Sequence, residues 1–483
     1  MGEPRRLSEL VLRPGLDPDP IITGVTADSR AVSPGALFAA LPGARTDGRG
    51  FIAAAVAAGA AAVLAPEDTP DQAVPTVRAA DVRRAYALAA ARFWGAQPPV
   101  VVAVTGTNGK TSVATFCRQI FTRLGRQAAS LGTLGLQTAT EALRPPGLTT
   151  PDAAEVAWLG AELAARGVTH LAVEASSHGL DQRRLDGLRL TAAGFTNLTR
   201  DHLDYHPGMD AYRKAKLRLF EALLPRGATA VLNAEAADFP AFAAAAVAHG
   251  QRVLSVGEGA QGLQLVWREP TAEGQRLSIR TAEGDHRVHL PLAGAFQASN
   301  ALVAAGLCIA AGEETGAVLA ALEHLVGAPG RLQRVGRGPR GGEAYVDYAH
   351  TPDGLSTVLE ALRPHARGRL IVVFGAGGDR DRAKRPMMGR AAAELADLAI
   401  VTDDNPRSEE PAAIRREIMQ GAPHAREVPD RRAAIRAGVE TLGEGDVLVV
   451  AGKGHEQGQI VGGVVHPFDD VAETAEALGA VHV

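Results

Sequence analysis

Residues 100–111, VVVAVTGTNGKT, join an apolar run to a glycine-rich turn that ends in Gly-Lys-Thr. Glycine lets the backbone curl until its N–H groups face a bound anion, and a helix starting at Ser112 adds the positive end of its dipole. In that arrangement Gly106, Thr107, Asn108 and Gly109 cradle phosphate, Lys110 meets the β- and γ-phosphates, and Thr111 offers its hydroxyl to Mg²⁺. The general phosphate loop carries glycine where this chain has Val104, so this is a variant form, used by a subset of ATP-consuming proteins.

Other residues have chemistry suited to the same neighbourhood. Glu174 ends the run HLAVE (170–174), a carboxylate leaving a buried strand, and hard cations prefer oxygen ligands. The segment NLTRDHLDYH (197–206) is dense in groups that hold metal or phosphate. Residues 207–224 read as a helix, with Tyr212, Leu219, Phe220 and Leu223 on one face at the 3.6-residue period. Lys216 falls in the middle of that apolar face. Either its stem carries the ammonium out to water, or it stays inside with a lowered pKa and becomes a neutral nucleophile.

These groups require a scaffold that gathers strand ends. Apolar strands at 100–104, 170–173 and 193–196 alternate with helical segments, as in a doubly wound parallel sheet, where ligands bind beyond the C-terminal strand ends. At 483 residues the chain predicts about three domains. The first, 1–97, closes at Gln97-Pro98-Pro99; the second spans 98–327; the third, 328–483, is entered through Gly327-Ala328-Pro329-Gly330. In the third, strands again end in polar runs: VDYAHTPD (346–353), GAGGDRDRAKRP (375–386), DDNPR (403–407) and GKGHE (452–456).

GTNGKT in this setting resembles the Mur ligase family of ATP-dependent amide-forming enzymes, and the resemblance extends over about 450 residues of motif-punctuated sequence. It implies a three-domain α/β fold: a small N-terminal uridine-nucleotide-binding domain, a central P-loop ATPase domain and a C-terminal Rossmann-like domain. ATP and Mg²⁺ are the implied cofactors, with Thr111, Glu174, His202 and a carbamate formed on Lys216 as metal ligands. Lys110, His202 and Lys216 are the implied catalytic residues. TADSR (26–30) resembles the first domain of the member that acts third, where Thr26 and Ser29 hold the uridine end of the substrate. Thr149, Thr150, Ser176, Gln182 and Arg184 match positions used on the UDP-sugar-peptide. Asn300, Arg331 and Asp347 match nucleotide contacts, although Gln297 stands where Asn is usual and Gln333 where Glu is common.

Asp404, Asn405, Pro406 and Arg407 resemble the motif with which the third-acting ligase recognises meso-diaminopimelate. An amino acid carrying a second carboxylate and ammonium at its far end calls for an arginine fork with polar acceptors beside it. Arg385, Gly452 and Glu456 match the remaining family contacts to it. The implied partners are therefore UDP-MurNAc-L-Ala-D-Glu and meso-diaminopimelate. A lysine-adding relative, a folylpolyglutamate synthetase and a nucleotide-dependent switch are the rival readings. The first would lack the Arg407 fork, the second has no use for a uridine-binding domain, and the third needs an Asn-Lys-x-Asp that the chain does not contain.

Composition agrees with such an enzyme. A net charge of −4 leaves no electrostatic footprint for nucleic acid. The two cysteines, Cys117 and Cys308, have no metal-ligand spacing, which suits a reducing cytoplasm. No signal peptide and no integral membrane segment are expected, and a monomer is anticipated.

Overall fold

The computed structural model describes residues 2–43, 46–145, 147–203, 205–271 and 273–479. Contacts divide the chain into two compact units, one of 1–263 with 303–318, the other of 264–302 with 319–483.

Beside a short antiparallel pair, Arg5–Arg6 with Ile21–Ile22, the first unit holds two larger sheets. Gly24–Thr26, Ala36–Ala39, Ala62–Ala65 and Thr76–Arg78 pair in sequence order, all parallel. The two inner strands are buried throughout, ALFA and AVLA, because both faces of a parallel sheet are covered. Helix Val82–Trp94 starts at Asp81, whose carboxylate accepts the Arg84 N–H, and buries Tyr86, Ala89, Ala90 and Phe93.

In the second sheet Val100–Thr105 is flanked by His170–Glu174 and Ala192–Phe195. Ala128–Gly132 lies outside the former, and Thr229–Asn233 then Arg252–Gly257 outside the latter. These six strands are parallel; Gly135–Thr138 and Ala142–Arg144 extend one edge antiparallel. Crossovers run to opposite sides of Val100–Thr105, which makes its C-terminal end the topological switch point. The helix expected over 207–224 is Met209–Arg218 followed by a π-helical turn, Leu219–Leu223. The wider turn still buries Leu219 and Phe220.

Strands Leu263–Thr271, Gly274–Thr281 and Gly284–Leu290 pair antiparallel, and all but Leu263 belong to the second unit. Its other sheet runs Gln333–Arg337, Glu343–Asp347, Val447–Ala451, Leu370–Phe374, Leu398–Val401, Arg426–Glu427, parallel except for the first pair. Helices Pro352–Leu362 and Lys384–Leu395 cover one face, Arg431–Thr441 and Asp470–Ala477 the other. Parallel α/β sheets are thus present as expected from the alternation of elements.

Two buried polar contacts stabilise the second unit. Arg431 and Asp470 form a two-bond ion pair, Nε to Oδ1 and Nη2 to Oδ2, both 2.7 Å, and both side chains are 0% exposed. His365 Nε2 accepts the Gly294 N–H at 3.0 Å, so Nδ1 must carry the proton it shares with Thr271 O at 2.9 Å. The imidazole is therefore held neutral, and burial pushes its pKa below the usual value.

Removing one partner of the buried pair strands the other: Asp470→Ala should cost about 3–5 kcal/mol, read as a lower midpoint in urea unfolding. For His365, the unfolded chain binds a proton that the folded chain resists. Stability should consequently fall as pH drops from about 6.5 toward the lowered folded-state pKa. His365→Gln should flatten that slope in unfolding midpoints measured at about pH 5 to 7.

Candidate active site

The loop after Val100–Thr105 turns through two glycines of positive φ, Gly106 at 152° and Gly109 at 88°. A Cβ on Gly106 would lie 1.9 Å from Thr196 Oγ1, so no side chain fits there. Residues beyond the adjacent strand Ala192–Phe195 brace the loop. Asn108 donates its N–H to Asn197 Oδ1 at 3.0 Å, and its carbonyl accepts Thr196 Oγ1 at 2.6 Å. Thr107 Oγ1 accepts the Thr199 N–H at 2.9 Å and lies 3.1 Å from the Tyr212 hydroxyl. Helix Lys110–Arg123 then starts with no side-chain cap, its first N–H groups left for an anion. Lys110 Nζ donates to the Gly106 and Thr107 carbonyls at 2.8 and 2.7 Å, which keeps its charge over the loop.

Parallel register sets Glu174 opposite Val104, one strand over. Its carboxylate, 2% exposed, accepts Thr111 Oγ1 at 3.0 Å, the Thr133 N–H at 2.8 Å and Thr133 Oγ1 at 3.2 Å. Thr111 and Glu174, far apart in sequence, are thereby joined as oxygen donors at the mouth of the loop. That donor set suits Mg²⁺, which takes one or two protein oxygens together with substrate phosphates. Among the described residues no group of three or more His, Cys, Asp or Glu side chains converges as a metal cage.

Lys216 is inside, 1% exposed, and its Nζ donates to Gly106 O at 2.7 Å, 4.5 Å from the Tyr212 ring. Burial pushes its pKa well below the usual lysine range; the nearby Lys110 charge acts in the same direction, and Asp201 opposes. His202 sits in the left-handed region at φ 52°, its ring 4.9 Å from His178 and 6.2 Å from Tyr212. Asp204, in the same segment, lies outside the described residues.

The sugar-peptide candidates form one connected set. Thr149 Oγ1 is 3.1 Å from Thr133 Oγ1, and Thr150 Oγ1 is 3.0 Å from Ser176 Oγ, which caps helix Ser177–Asp181. Arg184 donates to Thr150 O and Gln182 Oε1, both at 2.7 Å. Thr26 instead braces its own turn by accepting the Asp28 N–H at 3.0 Å, with Ser29 following in the short 3₁₀ segment Ser29–Ala31.

In the second unit the remaining candidates fall into two clusters. Asp347, 7% exposed, accepts the Leu332 and Ala349 N–H groups at 2.6 and 2.8 Å, and burial raises its pKa. Arg331 lies over the Tyr348 ring at 4.9 Å. Gln297 Nε2 donates to Arg331 O at 3.1 Å and Asn300 Nδ2 to Gln297 Oε1 at 3.2 Å, while Gln333 accepts the Gly330 N–H at 2.9 Å. Both glutamines thus have structural partners.

Asp404 and Asn405 are buried beside Gly452 and Glu456: Asn405 Nδ2 donates to Glu456 Oε2 at 2.9 Å, and a Cβ on Gly452 would lie 2.8 Å from Asp404 Oδ2. Pro406 is buried, and Arg407 follows in the left-handed region at φ 52°. Arg407 is half-buried and donates Nη1 to Gly378 O at 2.7 Å. Arg385 differs. It is 0% exposed, and its guanidinium is committed to Glu409 and Glu417 at 2.7–2.9 Å. Of the two arginines, Arg407 has the fork available for a ligand.

Thr133 was not evident from the sequence, although it directly follows the strand Ala128–Gly132, where the strand-end rule points. Glu409 and Glu417 carried no signal, since only the packing of helix Pro411–Met419 brings them to Arg385.

A phosphate loop at the switch point of a parallel sheet, with a buried carboxylate on its threonine and a buried lysine on its glycine, defines a P-loop α/β enzyme. Models of three domains match in order: "Mur ligase family, catalytic domain" over 21–95, "Mur ligase middle domain" over 104–308, and "Mur ligase, glutamate ligase domain" over 330–454. The chain belongs to the Mur ligase family. It is 68% identical over 483 residues to the UDP-N-acetylmuramoyl-L-alanyl-D-glutamate--2,6-diaminopimelate ligase of Caulobacter vibrioides, covering 99% of each chain. It is 54% identical over 463 residues to the ligase of the same name from Bradyrhizobium diazoefficiens, covering 95% of each. A solved structure of a ligase with that name superposes with TM-score 0.78 at 34% identity, covering 99% of both chains.

A Cβ on Gly132 would lie 2.0 Å from Glu174 Oε1, so Gly132→Ala must displace the carboxylate. Nucleotide-dependent phosphate release should fall at least about a hundredfold, because several kcal/mol of charge stabilisation is lost. The far-UV circular dichroism spectrum should be unchanged.

Proposed function

We propose that this chain forms an amide bond at the expense of ATP, joining meso-2,6-diaminopimelate to UDP-N-acetylmuramoyl-L-alanyl-D-glutamate in the cytoplasmic assembly of peptidoglycan precursors. The reading is carried by the 68% identity, over 99% of both chains, to a relative named for that reaction. Residues 1–97 then hold the uridine end through Thr26 and Ser29, 98–327 bind ATP, and 328–483 take the amino acid.

In this reading the γ-phosphoryl group passes to the terminal carboxylate of the dipeptide, giving an acyl phosphate and ADP. The amine of diaminopimelate attacks the acyl carbon, and phosphate leaves through a tetrahedral intermediate. Phosphoryl transfer is catalysed chiefly by positioning and charge. The N–H groups at the start of Lys110–Arg123 and the Lys110 ammonium meet the phosphates; Asn300, Arg331 and Asp347 contribute nucleotide contacts. Thr149, Thr150, Ser176, Gln182 and Arg184 orient the sugar-peptide. Thr111 and Glu174, with His202 and a carboxylated Lys216, would hold Mg²⁺, which neutralises charge on the phosphates. Carboxylation of Lys216 forms an N–C bond from the neutral amine to CO₂ and releases a proton. Burial and the lowered pKa of Lys216 favour the neutral amine that this step requires.

Arg407, half-buried and with most of its fork unspent, suits the distal carboxylate of diaminopimelate, while Glu456 and Asp404 suit an ammonium. L-Lysine would leave the fork facing a cation.

ATP-dependent phosphate release by the purified chain with UDP-MurNAc-L-Ala-D-Glu should occur with meso-diaminopimelate and not with L-lysine. Arg407→Ala should raise KM for diaminopimelate at least roughly thirtyfold, the loss expected on truncating one side of a buried charge pair. Turnover with lysine alone would discard the specificity, and silence with both would discard the reaction.

A further inference from the structure

Lys453 is 0% exposed and belongs to none of the contacts assigned above. Its Nζ donates to Asn405 Oδ1 at 2.8 Å and Gly458 O at 2.7 Å, and lies 3.4 Å from Asp404 Oδ1. Two consequences follow from the donor inventory of an amide. With Lys453 and the Ile460 N–H both on Asn405 Oδ1, the amide can take only one orientation, and Nδ2 is aimed at Glu456 Oε2. Asp404 Oδ1, held toward Lys453 by charge, accepts no hydrogen bond among the described residues despite being buried. One ammonium therefore ties together Asp404, Asn405 and the strand Gly458–Val461, and through Asn405 it reaches Glu456.

We propose that Lys453 is a positioning residue for amino-acid selection: it locks the Asn405 amide so that Glu456 is aimed, and it holds the Asp404 carboxylate with one oxygen left for the ammonium of the incoming amino acid. The proposal rests on the reading that residues 404–407 and 456 receive diaminopimelate. A buried ammonium is a costly way to fill this space unless its charge is used. Two of its N–H donors are taken by Asn405 Oδ1 and Gly458 O, and Asp404 Oδ1 is held to it by charge.

The test is steady-state kinetics of full-length wild-type, Lys453→Met and Lys453→Gln chains, varying each substrate in turn, with thermal unfolding alongside. In both variants KM for diaminopimelate should rise roughly tenfold or more, the effect of unpairing one buried polar group. KM for ATP and for UDP-MurNAc-L-Ala-D-Glu should stay within about twofold, and kcat should change less than KM. In a double-mutant cycle, Asn405→Ala should add little to Lys453→Met, because the lysine acts through that amide. An unchanged KM for diaminopimelate in a folded variant, additive penalties, or parallel losses for all three substrates would overturn the proposal. Failure of both variants to fold would do the same, since the ammonium would then serve the fold. Wild-type chain silent with diaminopimelate would sink the functional reading itself, and an active wild type beside unaffected variants would sink only the role of Lys453.

Discussion

One buried carboxylate joins the helix end of the phosphate loop to the neighbouring strand end. Glu174 is placed by the pairing of His170–Glu174 with Val100–Thr105, and a one-residue slip would turn its side chain to the other face of the sheet. Held in register, it takes three hydrogen bonds from Thr111 and Thr133, enough to offset the cost of burying it. Gly132 completes the arrangement, because only a residue without a side chain lets the carboxylate lie against that strand end.

A second economy is visible in how the loop is braced from its neighbours. Thr196, Asn197, Thr199 and Tyr212 all come from the stretch after Ala192–Phe195, and all hydrogen-bond residues 107 or 108. Lys216, on the same stretch, reaches Gly106. The Gly106–Gly109 loop and Lys216 are thus held by one segment, which couples the loop to the place where the lysine amine is kept out of water. The positive φ of His202 belongs to this tightly turned segment and is the kind of backbone strain that persists only where surrounding contacts over-determine it.

The second unit treats its arginines unequally. Arg431 and Arg385 are fully buried and spent on carboxylates. Arg407 remains half-buried with a single side-chain hydrogen bond among the described residues, so most of its fork is uncommitted. Lys453 stands between these roles, buried like the structural arginines yet bonded to Asn405.

Much of this was legible in the chain itself. Contiguous apolar runs ending in Thr-Gly, Glu and Asn announced a parallel sheet, because a strand buried on both faces must be apolar throughout and its polar end must lie at the sheet's rim. The loop and Glu174 followed from local period and spacing, whereas the position of a lysine on an apolar face raised its burial only as one of two outcomes. What only the tertiary structure decided was which partners each charge would find. Thr133 on Glu174, Glu409 and Glu417 on Arg385, Lys453 on Asn405 and His365 on Gly294 are long-range meetings, set by strand register and helix packing rather than by neighbours in sequence. Local pattern records which face a side chain takes, since that depends on backbone period; it cannot record what waits on the other side, since that depends on how distant elements close upon one another.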